Sequence, residues 1–345
     1  MINLITALLF ISVLIIVHEF GHYLLARLFG IRVFEFSVGF GRHLWKNRIG
    51  KTLYAIRIFP LGGFVRLAGI DKTNSSETFS QKENFQNLNF WRKIAILASG
   101  SLFNLLFALI ITIFVYWQIG IPQGLSGLIE RVYPNSAAAQ MNLLPGDKIL
   151  GVNDVLMSDG REIVRQIRES KGKPLYFSIQ RKSESFKVLL QPLQNKKDNY
   201  YYVGIRLASA QVVKYPLYKS VFKGIKETFN MSMATLTAFW QLFSGKANFE
   251  QLSGPLGIVS LTGEMVNYGI VAVLRFMVIL SINLAILNLL PIPALDGGRI
   301  MIMVLEKLFK KDFKEETVNK IHYAGALLLI LLMVVVTYFD IKKMF

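Results

Sequence analysis

Four stretches of this chain abandon any alternation of polar and apolar positions. Residues 1–17 carry no charge, and continued through "HEFGHYLLARLF" they reach the length a membrane-spanning helix needs, about 20 residues. Ile94–Trp117 is a second, charge-free run; Phe276–Leu295 is a third; Tyr323–Phe339, bounded by His322 and Asp340, is a fourth. The first run lacks the basic start and small-residue cleavage site of a signal peptide, so it reads as a retained span. Four spans put both ends of the chain on one side of the membrane.

Between the runs the pattern changes period. In the segment 31–93, "SVGFG", "TLYAIRIF" and "GGFVRL" are short β-prone pieces punctuated by glycine, too apolar for a free loop and too short to span. They predict a β-hairpin, either packed on the spans or offering its edge to an extended peptide. Residues 119–207 read as soluble: strand, short helix, a Pro145-Gly146-Asp147 turn, strand, a helix over 160–170, then two strands. From Tyr215 to Phe243, within the segment 208–268, apolar residues recur as Tyr218, Phe222, Ile225, Phe229, Met233, Leu236, Trp240 and Phe243, with lysines alongside. That is an amphipathic helix, lying on the membrane face or forming part of an outer domain's core. The boundaries drawn on this pattern are 1–30 (first span), 31–93, 94–118 (second span), 119–207, 208–268, 269–296 (third span), 297–321 and 322–345 (fourth span and tail).

Composition agrees with a bilayer as solvent. The 345 residues are 53% hydrophobic and only 18% charged, against roughly 25% charged in soluble proteins. With no cysteine, disulfides and thiolate metal sites are excluded, and a metal would need nitrogen and oxygen donors. The net charge of +17 comes without a stacking motif or basic helix, so it speaks for membrane lipid as a partner and against nucleic acid. Residues 30–93 hold eleven Lys/Arg against four acids, which places that loop in the cytoplasm and the long segment after the second span outside.

Within the first span stands His18-Glu19-Phe20-Gly21-His22. Each ionisable group at the bilayer centre costs roughly 2.5–3.5 kcal/mol even on lenient scales, so the cluster calls for a function. Histidines four apart share one helix face and can share one zinc, while the intervening glutamate can act as general base. A catalytic zinc needs a third protein ligand and an open position. His43 and His322 stand in no motif; Asp296, in "NLLPIPALDGG" at the close of the third run, is the better candidate, with a plain helix-end carboxylate as the other reading. Pro291 and Pro293 should break the helix there and free backbone groups, tolerable at membrane depth only beside a polar cavity. The first and third spans run the same way, so His18, His22 and Asp296 can meet at one depth, nearer the cytoplasm.

These motifs resemble the site-2 protease family of intramembrane zinc metalloproteases, in the bacterial branch that includes the regulator-of-sigma-E protease. The resemblance covers nearly the whole chain. It implies His18, His22 and Asp296 as ligands of Zn2+, Glu19 as catalytic base, and Asn288, Pro291 and Pro293 as a segment that holds substrate. "FSVGFG", with Gly39, Phe40 and Gly41, is similar to the family's re-entrant β-hairpin. "GSLFN" is similar to its second-span motif, with Asn104 in place and Ser101 where proline is usual. Residues 119–207 resemble a single PDZ domain, acting as a peptide groove or as a size filter, with Asn142 where glycine is common. The expected fold is therefore a polytopic α-helical membrane protein of four spans, with a re-entrant β-hairpin and one inserted soluble α+β PDZ domain. The expected activity is hydrolysis of peptide bonds within or next to transmembrane helices of single-span substrates, such as anti-sigma factors or remnant signal peptides, in a bacterial inner membrane. Two alternatives are a non-catalytic PDZ-bearing scaffold with a structural metal, which would need no general base, and a zinc transporter, which the lack of repeated spans disfavours.

Overall fold

The computed structural model describes residues 2–70, 79–157, 159–195, 200–246 and 253–344. Residues 71–78 of the basic loop and 247–252 of the segment drawn as 208–268 lie outside them. The chain divides into two compact units, Met1–Val115 with Leu217–Phe345, and Tyr116–Pro216.

The first unit begins with α1 (Ile2–Leu28), then strands β1 (Val33–Ile49) and β2 (Thr52–Leu67), and α2 (Phe90–Phe114), which runs on into a π-helical turn at Val115–Ile119. Asn89 starts α2 by accepting the amide of Arg92. Four helices are long and apolar enough to cross a membrane: Leu4–Leu28, Phe90–Ile119, Ile270–Leu289 and Glu316–Lys343. Their outer faces are apolar. Around the last span Tyr323, Leu327, Leu331 and Val334 are all more than half exposed, an arrangement that suits lipid and not water.

The β region is more folded than a hairpin. The tips of β1 and β2 pair from Ile49↔Thr52 to His43↔Arg57, and their far ends pair from Val33↔Leu67 to Val38↔Gly63. Phe36, Ser37 and Val38 also pair with Tyr54, Ala55 and Ile56. The two long strands thus bend back into a four-segment sheet ordered 43–49, 52–57, 33–38, 63–67, with 63–67 at one edge. The bend in β1 falls at Gly39 and Gly41, whose φ values of 89° and 88° are open to glycine at little cost. Buried Glu35 and half-buried Arg57 lock the corner: the guanidinium donates to Glu35 Oε1 at 2.5 Å, to Ser37 Oγ at 2.8 Å and to the Gly41 carbonyl at 2.7 Å. The sheet packs on α1.

The second unit contains β3 (Ile121–Val132), α3 (Ala137–Gln140), β4 (Lys148–Val152), β5 (Val155–Leu156), α4 (Gly160–Glu169), β6 (Leu175–Arg181), β7 (Glu184–Leu190), β8 (Leu193–Asn195), β9 (Tyr200–Tyr202) and β10 (Ile205–Val213). The main sheet runs β10-β3-β4-β6-β7, with β5 beside β4. Ile129, Ile149, Ile163, Phe177, Ile179 and Leu190 are its fully buried core. The sequence pattern missed β10, which pairs antiparallel with β3 and passes through residue 207. Asn142 adopts φ 56°, the left-handed conformation that asparagine tolerates. In the Pro145-Gly146-Asp147 turn, buried Asp147 accepts the Leu144 amide at 2.8 Å and receives Arg181 Nε at 2.7 Å.

The chain returns to the first unit through α5 (Leu217–Phe243), α6 (Pro255–Asn267), α7 (Ile270–Leu289), α8 (Asp296–Phe309) and α9 (Glu315–Met344). In α5 the apolar stripe read from the sequence is the exposed one, with Tyr218, Phe222, Phe229 and Trp240 at least 60% accessible. Its small and polar positions Ser220, Gly224 and Thr228 are the buried face, and Gly224 lies against Ile113 of α2. The start of α6 is completed from α9: Asp340, 3% exposed, accepts the amides of Gly254 at 3.1 Å and Gly257 at 2.8 Å. The segment "SGPLGIVSL" is thus a helix start whose cap lies elsewhere in the chain.

Candidate metal centre

α1 carries His18 and His22 one turn apart on its buried face, and their Nε2 atoms stand 3.1 Å from each other. Asp296 Oδ2 lies 3.1 Å from His18 Nε2 and 3.2 Å from His22 Nε2. A tetrahedral zinc with ligand bonds of about 2.0–2.1 Å separates its donors by about 3.3 Å. The triangle fits that ion, and three protein donors leave a fourth position for a reacting group. Among the described residues this is the one cluster of three such side chains that could hold a metal.

Each ring is oriented from behind. His22 Nδ1 donates its proton to the Ile96 carbonyl of α2 at 2.8 Å, which leaves Nε2 unprotonated and facing the triangle. The side-chain amide of Asn288, at the end of α7, stands 3.5 Å from His18 Nδ1. α2 can approach so closely because it presents Gly100: a β-carbon there would run into the imidazole nitrogens of both His18 and His22. Gly21 does the same from α1, where a side chain would strike the backbone of Ser99.

Asp296 is not at the end of a span, as the sequence pattern placed it. α7 stops at Leu289, and Asp296 is the first residue of α8. Proline cannot donate the amide a helix requires and disfavours helical geometry in the residue before it, so Pro291 and Pro293 enforce a break. The break is shaped by tight contacts. Gly297 and Gly298 have no room for a side chain against the carbonyls of Leu289, Leu290 and Ile292, and Gly325 of α9 has none against that of Pro293. Ala294 takes φ 80°, unusual for a residue with a side chain. Its amide donates to His322 Nδ1 at 3.0 Å. His322 belongs to no motif, and only the tertiary contact reveals its place.

Glu19 is not one of the three donors. It borders the sheet instead, since a β-carbon on Gly63 would come 3.6 Å from Glu19 Cγ. Gly39, Phe40 and Gly41 form the corner of that sheet, and the half-exposed Phe40 ring stacks on Phe64 with centroids 6.2 Å apart. Asn104, one turn along α2 from Gly100, is fully buried, and its side-chain amide has no hydrogen-bond partner among the described residues. Its carbonyl accepts from Ser281 Oγ at 2.8 Å and ties α2 to α7. The Glu35–Arg57 lock was invisible in the sequence, where both residues counted only toward a basic loop.

A two-histidine, one-carboxylate donor set buried in a bundle of apolar spans defines a membrane-embedded metallopeptidase class. Comparison with known proteins agrees: residues 6–332 match peptidase family M50. A Rickettsia conorii protein described as a zinc metalloprotease is 33% identical over the whole of both chains. Zinc metalloprotease RasP of Geobacillus kaustophilus is 29% identical over 99% of this chain and 98% of its own. The regulator of sigma-W protease RasP of Bacillus subtilis is 27% identical over 99% of each. Among solved structures, the PDZ domain of an SdrC-like protein from Listeria monocytogenes is similar over 24% of this chain and 86% of that one, at 17% identity and a TM-score of 0.22. The chain belongs to peptidase family M50, the site-2 protease family, and is a zinc metallopeptidase of the membrane.

Proposed function

We propose that the protein hydrolyses peptide bonds within or next to the spanning helices of other membrane proteins. The observation that carries this reading is the donor triangle of His18, His22 and Asp296, with Glu19 on the same helix beside Gly63 in the edge segment 63–67 of the sheet. Zinc held by those three side chains supplies a Lewis acid for the scissile carbonyl and lowers the pKa of water. Glu19 takes the proton from the attacking water and returns it to the leaving amine. A substrate helix, once unwound, pairs its backbone with segment 63–67 by strand addition, and the lock between Arg57 and Glu35 keeps that edge rigid. Asn288 steadies the His18 ring, while the Pro291–Pro293 break offers polar backbone groups to the unwound substrate.

In this reading the loop before α2 faces the cytoplasm, Tyr116–Pro216 is a PDZ domain outside, and the β region re-enters the membrane. A cavity of about 370 Å³ between α4 and strands β9–β10, lined by Val164, Ile167 and Leu207, suits an extended peptide. A substrate in sigma-factor control is supported by the name of the Bacillus subtilis relative, a regulator of sigma-W protease, and single-span anti-sigma factors are the class this reading takes. The decisive experiment reconstitutes the full chain with a single-span substrate. Cleavage should require zinc, stop with chelator and fall about 10²–10⁴-fold in Glu19→Gln, with zinc content retained. Undiminished cleavage by Glu19→Gln overturns the reading, and a zinc-loaded wild type that cleaves nothing points to the scaffold alternative.

A further inference from the structure

A cavity of about 910 Å³ lies outside the donor triangle, between the start of α2, the length of α8 and the start of α9. Its lining carries Lys93, Arg299, Lys307, Lys310 and Lys311 against Glu306 and Asp312. None of the five cations forms an ion pair with a carboxylate among the described residues. Glu306 already accepts the Phe313 amide at 3.0 Å, closing the turn after α8. The formal excess of +3 is therefore gathered in one hollow, with no further counter-charge among the described residues lining it.

The hollow is also amphipathic. Phe85, Leu97, Ile302 and Met303 form an apolar wall continuous with the packed end of the bundle. At its rim Lys307 sits 3.8 Å from the Phe90 ring centroid and 5.2 Å from that of Trp91. Trp91, 71% exposed, opens the second span, and Leu308 and Phe309 at the end of α8 are about 70% exposed. Aromatic and cationic side chains at a span's end mark the level of lipid headgroups. A free phosphate would satisfy the cations but make no use of the apolar wall or the exposed aromatic rim, whereas a phospholipid satisfies both.

We infer that this cavity is a binding site for an anionic phospholipid, its phosphate among Arg299, Lys307 and Lys310 and an acyl chain along Phe85, Leu97 and Met303. Such pockets between spans are a recurrent way of holding acidic lipid. The site backs directly onto the metal centre's supports. Leu97 follows the residue whose carbonyl holds His22, Arg299 lies one turn beyond Asp296, and His322, which anchors Ala294, also lines the cavity. A seated lipid clamps α2, α8 and α9 together at the end of the bundle that bears Asp296. The inference does not rest on the proteolytic reading, because binding alone tests it.

The test uses the full chain, purified in neutral detergent and titrated with phosphatidylglycerol or phosphatidylcholine. Native mass spectrometry should find phosphatidylglycerol retained at least fivefold more than phosphatidylcholine. The triple variant Lys307→Gln, Lys310→Gln, Lys311→Gln should lose that preference, and the corresponding triple arginine variant should keep it. The wild-type unfolding temperature should rise with phosphatidylglycerol and not with inorganic phosphate at equal concentration, a reading independent of whether the glutamine variant folds. Equal retention of the two lipids by wild type overturns the inference. So does stabilisation by inorganic phosphate alone, which would make the occupant a soluble anion.

Discussion

Gly100 of α2 lies so close to His22 of α1 that hydrogen is the only side chain the gap admits. The metal centre is thus shaped by an absence of atoms as well as by its donors. Replacing Gly100 with alanine should push both imidazoles aside and lower zinc affinity by about 10–100-fold, the range found for groups that orient metal ligands. Zinc content after dialysis against a graded chelator is the readout. Ser101→Ala, which removes a buried hydroxyl without adding volume, should keep its zinc.

Asp296 supplies the charged donor. Asp296→Asn preserves shape but removes the anion, so zinc should be lost at chelator concentrations at least about tenfold lower than for the wild type. An unchanged chelator midpoint would remove Asp296 from the ligand set.

His322 and Ala294 together hold the break before α8. A positive φ on a residue with a β-carbon costs on the order of 1–3 kcal/mol unless its surroundings enforce it. His322→Phe should therefore slow cleavage by roughly tenfold through lost positioning. Adding Ala294→Gly, which relieves the backbone, should recover part of the rate, while the single Ala294→Gly should leave zinc content intact. Identical rates in the single and double variants would detach His322 from the loop's geometry.

Asp147 gives the second unit a pH signature. The hydrogen bond from Arg181 holds its carboxyl below the usual range. A depressed acid contributes stability that is complete above its unfolded pKa of about 3.9 and is lost as pH falls through the folded value. Stability of this unit should be level between pH 7 and 5 and fall below about 4. Asp147→Asn should remove about 1–3 kcal/mol at neutral pH and flatten the acid limb. The urea midpoint of this unit within the full chain, measured across pH, would follow this.

What was legible in the sequence was whatever follows from spacing along one helix or from hydropathy. His18 and His22 are neighbours by helical period, and the four spans are runs of apolar residues. Asp296 could be singled out by its two prolines and two glycines, but its position at the start of α8 depends on how the break folds against α9. The β region illustrates the limit: a hairpin is local, whereas the second bend at Gly39 and Gly41, and the Arg57 lock that fixes it, appear only when strands pair across many residues. In α5 the apolar stripe was correctly located, yet periodicity does not say whether such a stripe meets protein or lipid. β10 was lost because its partner, β3, lies far back in the chain.

The carboxylate of Asp340 bears on the order in which the bundle can be completed. Translation proceeds from the first span onward, so both histidines and Asp296 reach the membrane ahead of the end of α9 that carries Asp340. α6, however, keeps bare amides at Gly254 and Gly257 until Asp340 arrives from 83 residues beyond the nearer of them. The final span is therefore a latch that engages last, and an Asp340→Asn chain should insert, accumulate its donors and still leave the start of α6 open to protease.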